Sequence, residues 1–317
     1  MRIMNFYLFL PLAKNAAEMV NKGEGRPGGI HWLALLLLVL VWGSSFILIK
    51  RGLAAFSAAE LGALRIAISF IALSPLLFWH LRKVPVRRLK YFILSGIIGN
   101  GLPPFLFAAA QTVIDSYMAG ILNSLTPLFT LLIGVVFFGV MTRWVNVLGV
   151  IIGLGGAIGI MSVAGGGQLN SIWYGLMAVA AAVCYATNMN LIKQYLSDFD
   201  ALTITSVVFM FIGIPSLIYL LGFSDIVYKL SYEEGAWKGL GYIAILAVFG
   251  TAMAMAIHNW LIKQTSALFT STVTYLMPVV SIMWGVADGE SFLPLYLLWI
   301  AMILAGIYLA NRKKKRI

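Results

Sequence analysis

Asn100, Pro104, Phe107 and Gln111 are spaced so that they share one face of a helix, in a stretch that is otherwise apolar. Asn123, Thr126, Pro127 and Thr130 form a second such stripe, and Thr251, Met255 and His258 a third. Thr270, Thr274, Met277, Pro278 and Ser281 form a fourth. Trp42 with Ser45, and Tyr185 with Asn188, each set an aromatic ring beside a small polar group, and Tyr275 adds another ring. These are neutral hydrogen-bonding groups and aromatic faces, the chemistry of holding a solute rather than breaking a bond. No P-loop, Asp/Glu-rich metal motif or His–Asp pair is present, so an integral-membrane enzyme and an ATP-driven pump are not expected. The single cysteine, Cys184, excludes an intramolecular disulfide framework and a Cys-rich metal site. No cofactor and no metal are expected.

The elements that carry these stripes are set by composition. Of 317 residues, 61% are hydrophobic and 10% charged, and the mean hydropathy is +0.95. A soluble domain would carry about a quarter charged residues. A helix needs about 20 apolar residues to cross a bilayer. Ten segments qualify: 31–50, 59–81, 91–112, 116–138, 144–163, 171–193, 200–222, 239–262, 267–287 and 293–311. The expected fold is thus an all-α polytopic membrane protein. Polar groups are costly in lipid, so the stripes are expected to face the interior. Ser, Thr and Gly also serve close helix packing, the role expected for Gly149, Gly153, Gly155, Gly156 and Gly159.

The net charge of +11 reflects topology rather than nucleic-acid binding. With a cytoplasmic N-terminus, 17 of the 22 lysines and arginines fall inside and Lys50, Arg51, Lys229 and Lys238 outside. This is the positive-inside pattern of a multi-pass protein of the cytoplasmic membrane with both termini cytoplasmic. Residues 1–30 read as an N-terminal cytoplasmic tail and 312–317 as a basic cytoplasmic tail. The expected partners are the bilayer and a small-molecule substrate, with no nucleic acid, for a monomer or homodimer.

The two halves also match each other. At an offset of 143, Trp42 falls on Tyr185, Ser45 on Asn188, and Leu48-Ile49-Lys50 on Leu191-Ile192-Lys193. At 151, Gly99 falls on Gly250, Pro127 on Pro278 and Gly155 on Gly306. Residues 31–163 and 171–311 thus form two five-helix repeats, and an odd number of spans inverts the second. In inverted repeats the substrate site lies near the midplane between the halves. The residues expected to line it are Trp42, Ser45, Asn100, Phe107, Gln111, Asn123, Thr126, Tyr185, Asn188, His258, Thr274 and Tyr275. Arg65 is expected to pair with a carboxylate on the same side, Glu60, Asp288 or Glu290, and close the outer mouth, and Pro127 and Pro278, placed mid-span, to act as hinges. A carrier working by alternating access is expected; a passive channel or a non-transporting scaffold is the alternative.

Trp42-Gly43-x-x-Phe46, Arg65, Pro127, Pro278 and Gly289-Glu290 in this order make the chain resemble EamA-type transporters of the drug/metabolite transporter superfamily, over residues 31–311. The resemblance implies the ten-span fold and movement of amino acids or other small metabolites, often outward. Two departures stand out. The first half reads Phe138-Gly139 where the family often has Gly-Glu, and the sixth span has Cys184-Tyr185 rather than the tryptophan form.

Overall fold

The computed structural model describes residues 27–164, 169–265, 270 and 272–310, and among these residues every regular element is a helix. That is what lipid demands, since each backbone group must find its partner within the chain. Seven helices are long and apolar enough to cross a membrane by length and composition: Gly29–Leu53, Ala58–Leu77, Val86–Ala110, Ser116–Phe138, Trp144–Val163, Asn170–Tyr195 and Ala201–Gly222. Three shorter apolar helices follow, Ala236–Thr251, Val273–Ala287 and Tyr296–Ala310. Most of the expected N-terminal tail, the basic tail, and the first residues of the expected span 267–287 lie outside the described residues.

Several of the apolar stretches are composite. The first is α1 (Gly29–Gly43) and α2 (Ser45–Leu53), joined at Ser44. After α3 (Ala58–Leu81), the next stretch runs through α4 (Leu89–Ser95), a π-helical segment (Gly96–Gly101) and α5 (Leu102–Ala110). The local cause is chemical: Pro103 and Pro104 have no N–H to donate to the carbonyls of Gly99 and Asn100. The fourth stretch is α6 (Ser116–Asn123) and α7 (Thr126–Phe138), and Pro127 opens α7 instead of kinking a continuous helix. Then come α8 (Trp144–Ala164), α9 (Leu169–Tyr195), α10 (Ala201–Gly222), and the short α11 (Ile226–Tyr232) within the expected polar connection. The chain ends in α12 (Ala236–Ala247), a second π-helical segment (Val248–Met253), α13 (Ala254–Gln264), α14 (Val273–Ala287) and α15 (Tyr296–Ala310). Pro278 lies inside α14, so the two aligned prolines do different things.

Two aligned residues start two aligned helices. Ser57 Oγ accepts from the Glu60 N–H at 3.3 Å while Glu60 Oε2 accepts from the Ser57 N–H at 2.8 Å, a capping box at the start of α3. Asp200, 143 positions on, caps α10 by accepting from the Thr203 N–H at 2.8 Å. Burial raises the Asp200 carboxyl, but the Thr203 hydrogen bonds and the charges of His80 and Lys83 outweigh it and hold it below the usual carboxylate range. Ser57→Ala is expected to cost about 1 kcal/mol of stability, read as a fall of a few degrees in the melting temperature of the detergent-purified protein.

The packing partners come from across the chain. α8 lies along α15, and α3 along α10. A Cβ at Gly306 would stand 2.5 Å from the Gly153 nitrogen and 2.6 Å from the Gly149 oxygen, so these glycines let two backbones touch. Gly155 departs from its expected packing role: a Cβ there would meet nothing closer than Met302 at 3.9 Å. α1 packs on α13 and α14, whereas α9 packs on α5, α6 and α7. Each half therefore sends its first apolar stretch into the helices of the other.

Candidate functional site

Arg65, Ile66 and Ser69 from α3, Asn100, Pro104, Tyr185 from α9, Phe209 and Thr251 line a cavity of about 20 Å³. One water needs about 10–15 Å³, so the centre is closed around very little space. Asn100 and Thr251 lie in the two π-helical segments and are aligned at the 151 offset. Such bulges are frequent at functional sites because they re-aim side chains and backbone groups. Around the cavity the rings interlock. Tyr185 stacks on Phe107 with centroids 6.1 Å apart, and Phe107 meets Phe46 edge-on at 5.6 Å. Trp42 donates from Nε1 to the Gly250 oxygen at 2.9 Å and tilts against His258 at 5.4 Å.

The contacts repeat across the halves. The Asn188 side chain fills the space over Gly99 and accepts from Ser95 Oγ at 2.7 Å. Its aligned counterpart Ser45 sits 3.6 Å from where a Cβ on Gly250 would stand. Each π-helical segment is thus covered by the polar residue one turn below the aromatic of the opposite half.

Each end of α3 carries its own charge cluster. At its Glu60 end, Lys50 Nζ lies 2.7 Å from Asp288 Oδ2 and 2.8 Å from Glu290 Oε1, and Arg51 also pairs with Asp288. Glu290 is buried and also accepts from the Ser116 N–H at 2.9 Å, the Ser116 hydroxyl at 3.0 Å and the Tyr117 N–H at 3.3 Å. Its charge therefore sits at the start of α6, where unpaired N–H groups favour an anion. Lys229 from α11 reaches Glu60 at 2.7 Å. The Lys50 hydrogen bond, outweighing burial and joined by Arg51, holds the Asp288 carboxyl below its usual range. At the His80 end, Arg88 bonds the Tyr195 oxygen at 2.6 Å and Asp198 at 3.1 Å, and His80 lies 2.6 Å from Thr203 Oγ1.

These pairs correct one expectation. Arg65 does not meet Glu290 across a mouth: Lys50 holds Glu290, Lys229 holds Glu60, and Arg65 faces the central cavity. Depth along a helix suggested the pair, but rotation about the axis decides it. Of the other expected residues, Asn100 and Tyr185 border the cavity. Trp42, His258, Ser45, Asn188 and Phe107 make the contacts just described. Gln111 is 7% exposed and neither amide atom has a hydrogen-bond partner among the described residues; Asn123 Oδ1 is likewise buried without one among them. Thr126 Oγ1 bonds the Asn123 oxygen at 2.7 Å, a local use. Tyr275 donates to the Ile307 oxygen at 3.3 Å, away from the cavity, and Thr274 is half-buried on α14. Sequence reasoning missed Ser69 and Phe209 as cavity walls, and Lys50 as the partner of Glu290. The spacing gives no signal for Lys50, since its aligned residue, Lys193, pairs with no carboxylate among the described residues.

Comparison with known proteins adds two kinds of likeness. The model of the EamA-like transporter family matches residues 29–162 and again 172–312. A probable terminal-alkyne amino-acid exporter of Streptantibioticus cattleyicolor is 26% identical over 296 residues, 88% of this chain and 93% of that one. The inner membrane transporter YedA of Escherichia coli K12 is 25% identical, over 89% of this chain and 90% of that one. A crystal structure of a protein superposes with a TM-score of 0.60 at 18% identity, over 90% of this chain and 97% of that one, a likeness of fold.

Proposed function

The chain belongs to the EamA-like transporter family, and from that premise we propose that it is a secondary transporter exporting a small organic metabolite, an amino acid or a related amphipathic solute, by alternating access. The proposed architecture has ten spans in two inverted five-helix units, residues 31–163 and 171–311, with both termini cytoplasmic. The observation that carries this reading is the reciprocal packing around the cavity. α1 joins the second unit's helices and α9 the first unit's, and the aligned pairs Asn188–Gly99 and Ser45–Gly250 meet, each glycine next in sequence to a cavity residue, Asn100 or Thr251. A site shared in this way opens to one face when the units rock one way and to the other when they rock back. Its walls are aromatic, aliphatic and neutral polar apart from Arg65, which suits a solute with both apolar and polar parts. The named amino-acid exporter among the relatives supports the substrate class and the outward direction. The basic residues of the 82–90 connection, at the His80 end of α3, support placing that end in the cytoplasm.

The test is counterflow in proteoliposomes loaded with a mixture of the protein amino acids. Uptake that saturates with external solute and is accelerated by internal solute is expected. Uptake linear in concentration, with no acceleration, would point to a channel instead.

A further inference from the structure

We propose that Arg65 is the residue that recognises a carboxylate on the transported solute, so that the carrier takes amino and organic acids and rejects their neutral amides. This rests on the carrier reading above and gives that site its chemical selectivity. Arg65 lies seven residues into α3, about 10 Å from its start. A cation at that depth is expensive and marks function unless a partner neutralises it. Among the described residues no carboxylate pairs with it. Glu60 is taken by Lys229, Asp288 and Glu290 by Lys50, and Asp198 by Arg88. Instead Arg65 borders a cavity shared with Asn100, Tyr185 and Thr251, three hydrogen-bonding side chains from three different helical segments.

The repeat sharpens the point. At the 143 offset the position of Arg65 is taken by Val208, which is 1% exposed. The fold therefore accommodates an apolar residue at the equivalent place, and packing alone does not call for a charge. What a guanidinium adds is a planar fork of donors that matches the two oxygens of a carboxylate. A single such cation in the cavity suits a single negative charge, and the ring of Tyr185 beside it suits an apolar side chain next to that charge.

The experiment compares acids with their amides in two assays on the full chain. Counterflow in proteoliposomes uses the protein amino acids against the matching amino-acid amides. Thermal stabilisation in detergent uses the same two sets and needs no transport. Wild type is expected to favour the acids at least 10-fold in both. Arg65→Gln is expected to lose about 10- to 100-fold of acid uptake, the scale of charge-assisted hydrogen bonds, and with it the preference for acids. It is also expected to melt no lower than wild type, because an unpaired cation has left an apolar span. Arg65→Lys keeps the charge without the fork and is expected to fall between the two. Equal handling of acids and amides by wild type overturns the assignment, as does an Arg65→Gln protein that keeps the preference or melts several degrees lower. If wild type moves no probe at all, the carrier reading fails, and the stabilisation assay still decides whether Arg65 selects carboxylates.

Discussion

Gly99→Ala is expected to disable transport, whereas Gly250→Ala at the aligned position is expected to leave it nearly intact. A Cβ on Gly99 would overlap the side-chain amide of Asn188 and approach the Asn188 Cβ to 2.8 Å. Asn188 has little room to yield, being 8% exposed and held by Ser95. A Cβ on Gly250 would meet Leu246 at 3.4 Å and Ser45 at 3.6 Å, ordinary contacts. Overpacking of the first kind costs about 3 kcal/mol and pushes helices apart where the cavity is formed. The measurement is paired: melting temperature in detergent and counterflow in proteoliposomes. Gly99→Ala with Asn188→Ser copies the second half's smaller residue and is expected to restore part of both. If the two single variants behave alike, the asymmetry drawn from Asn188 and Ser45 is wrong.

Glu290→Gln is expected to loosen the Lys50 end of the molecule. Glu290 is the only side chain at once paired with α2 through Lys50 and bonded to the start of α6, among the described residues. Removing its charge leaves Lys50 with Asp288, half-exposed and partly compensated, but weakens three bonds at a helix start. The expected loss is about 2–4 kcal/mol, between that of a cap and that of a broken buried pair. The aligned inner position is Gly139, and Lys193, aligned with Lys50, is exposed and pairs with no carboxylate among the described residues. The clasp is thus one-sided. A cysteine placed at Thr251, on a Cys184→Ala background, is expected to react faster with an impermeant thiol reagent from the Lys50 side once Glu290 is changed. Unchanged labelling from both sides would mean that Glu290 holds helices without governing access.

Much of this was legible in the sequence, and the part that was not has a common cause. Apolar length marked the long stretches, and the match of residues 42–50 with 185–193 marked the duplication. The breaks were not legible. Ser44 interrupts a helix without a proline, and the second π-helical segment, Val248–Met253, has none either. Nothing local explains it; the Trp42 bond to the Gly250 oxygen comes from a helix more than 200 residues away. The same limit misplaced Arg65. Spacing gives depth and face, but the neighbour of that face is fixed by which helices pack, and α3 turns Arg65 toward Asn100 and Tyr185 rather than toward Glu290.

The exchange of α1 and α9 between the halves also bears on how the molecule is made. When α1 leaves the ribosome, the helices it will lie against, α13 and α14, do not yet exist; α14 begins about 230 residues later. At translation rates of about 5–20 residues per second that is a wait of roughly 10–50 s. During that interval the nascent chain must keep α1 apart from wrong neighbours in the bilayer. Its apolar, weakly polar surface lets lipid serve as the temporary partner until the last helices arrive.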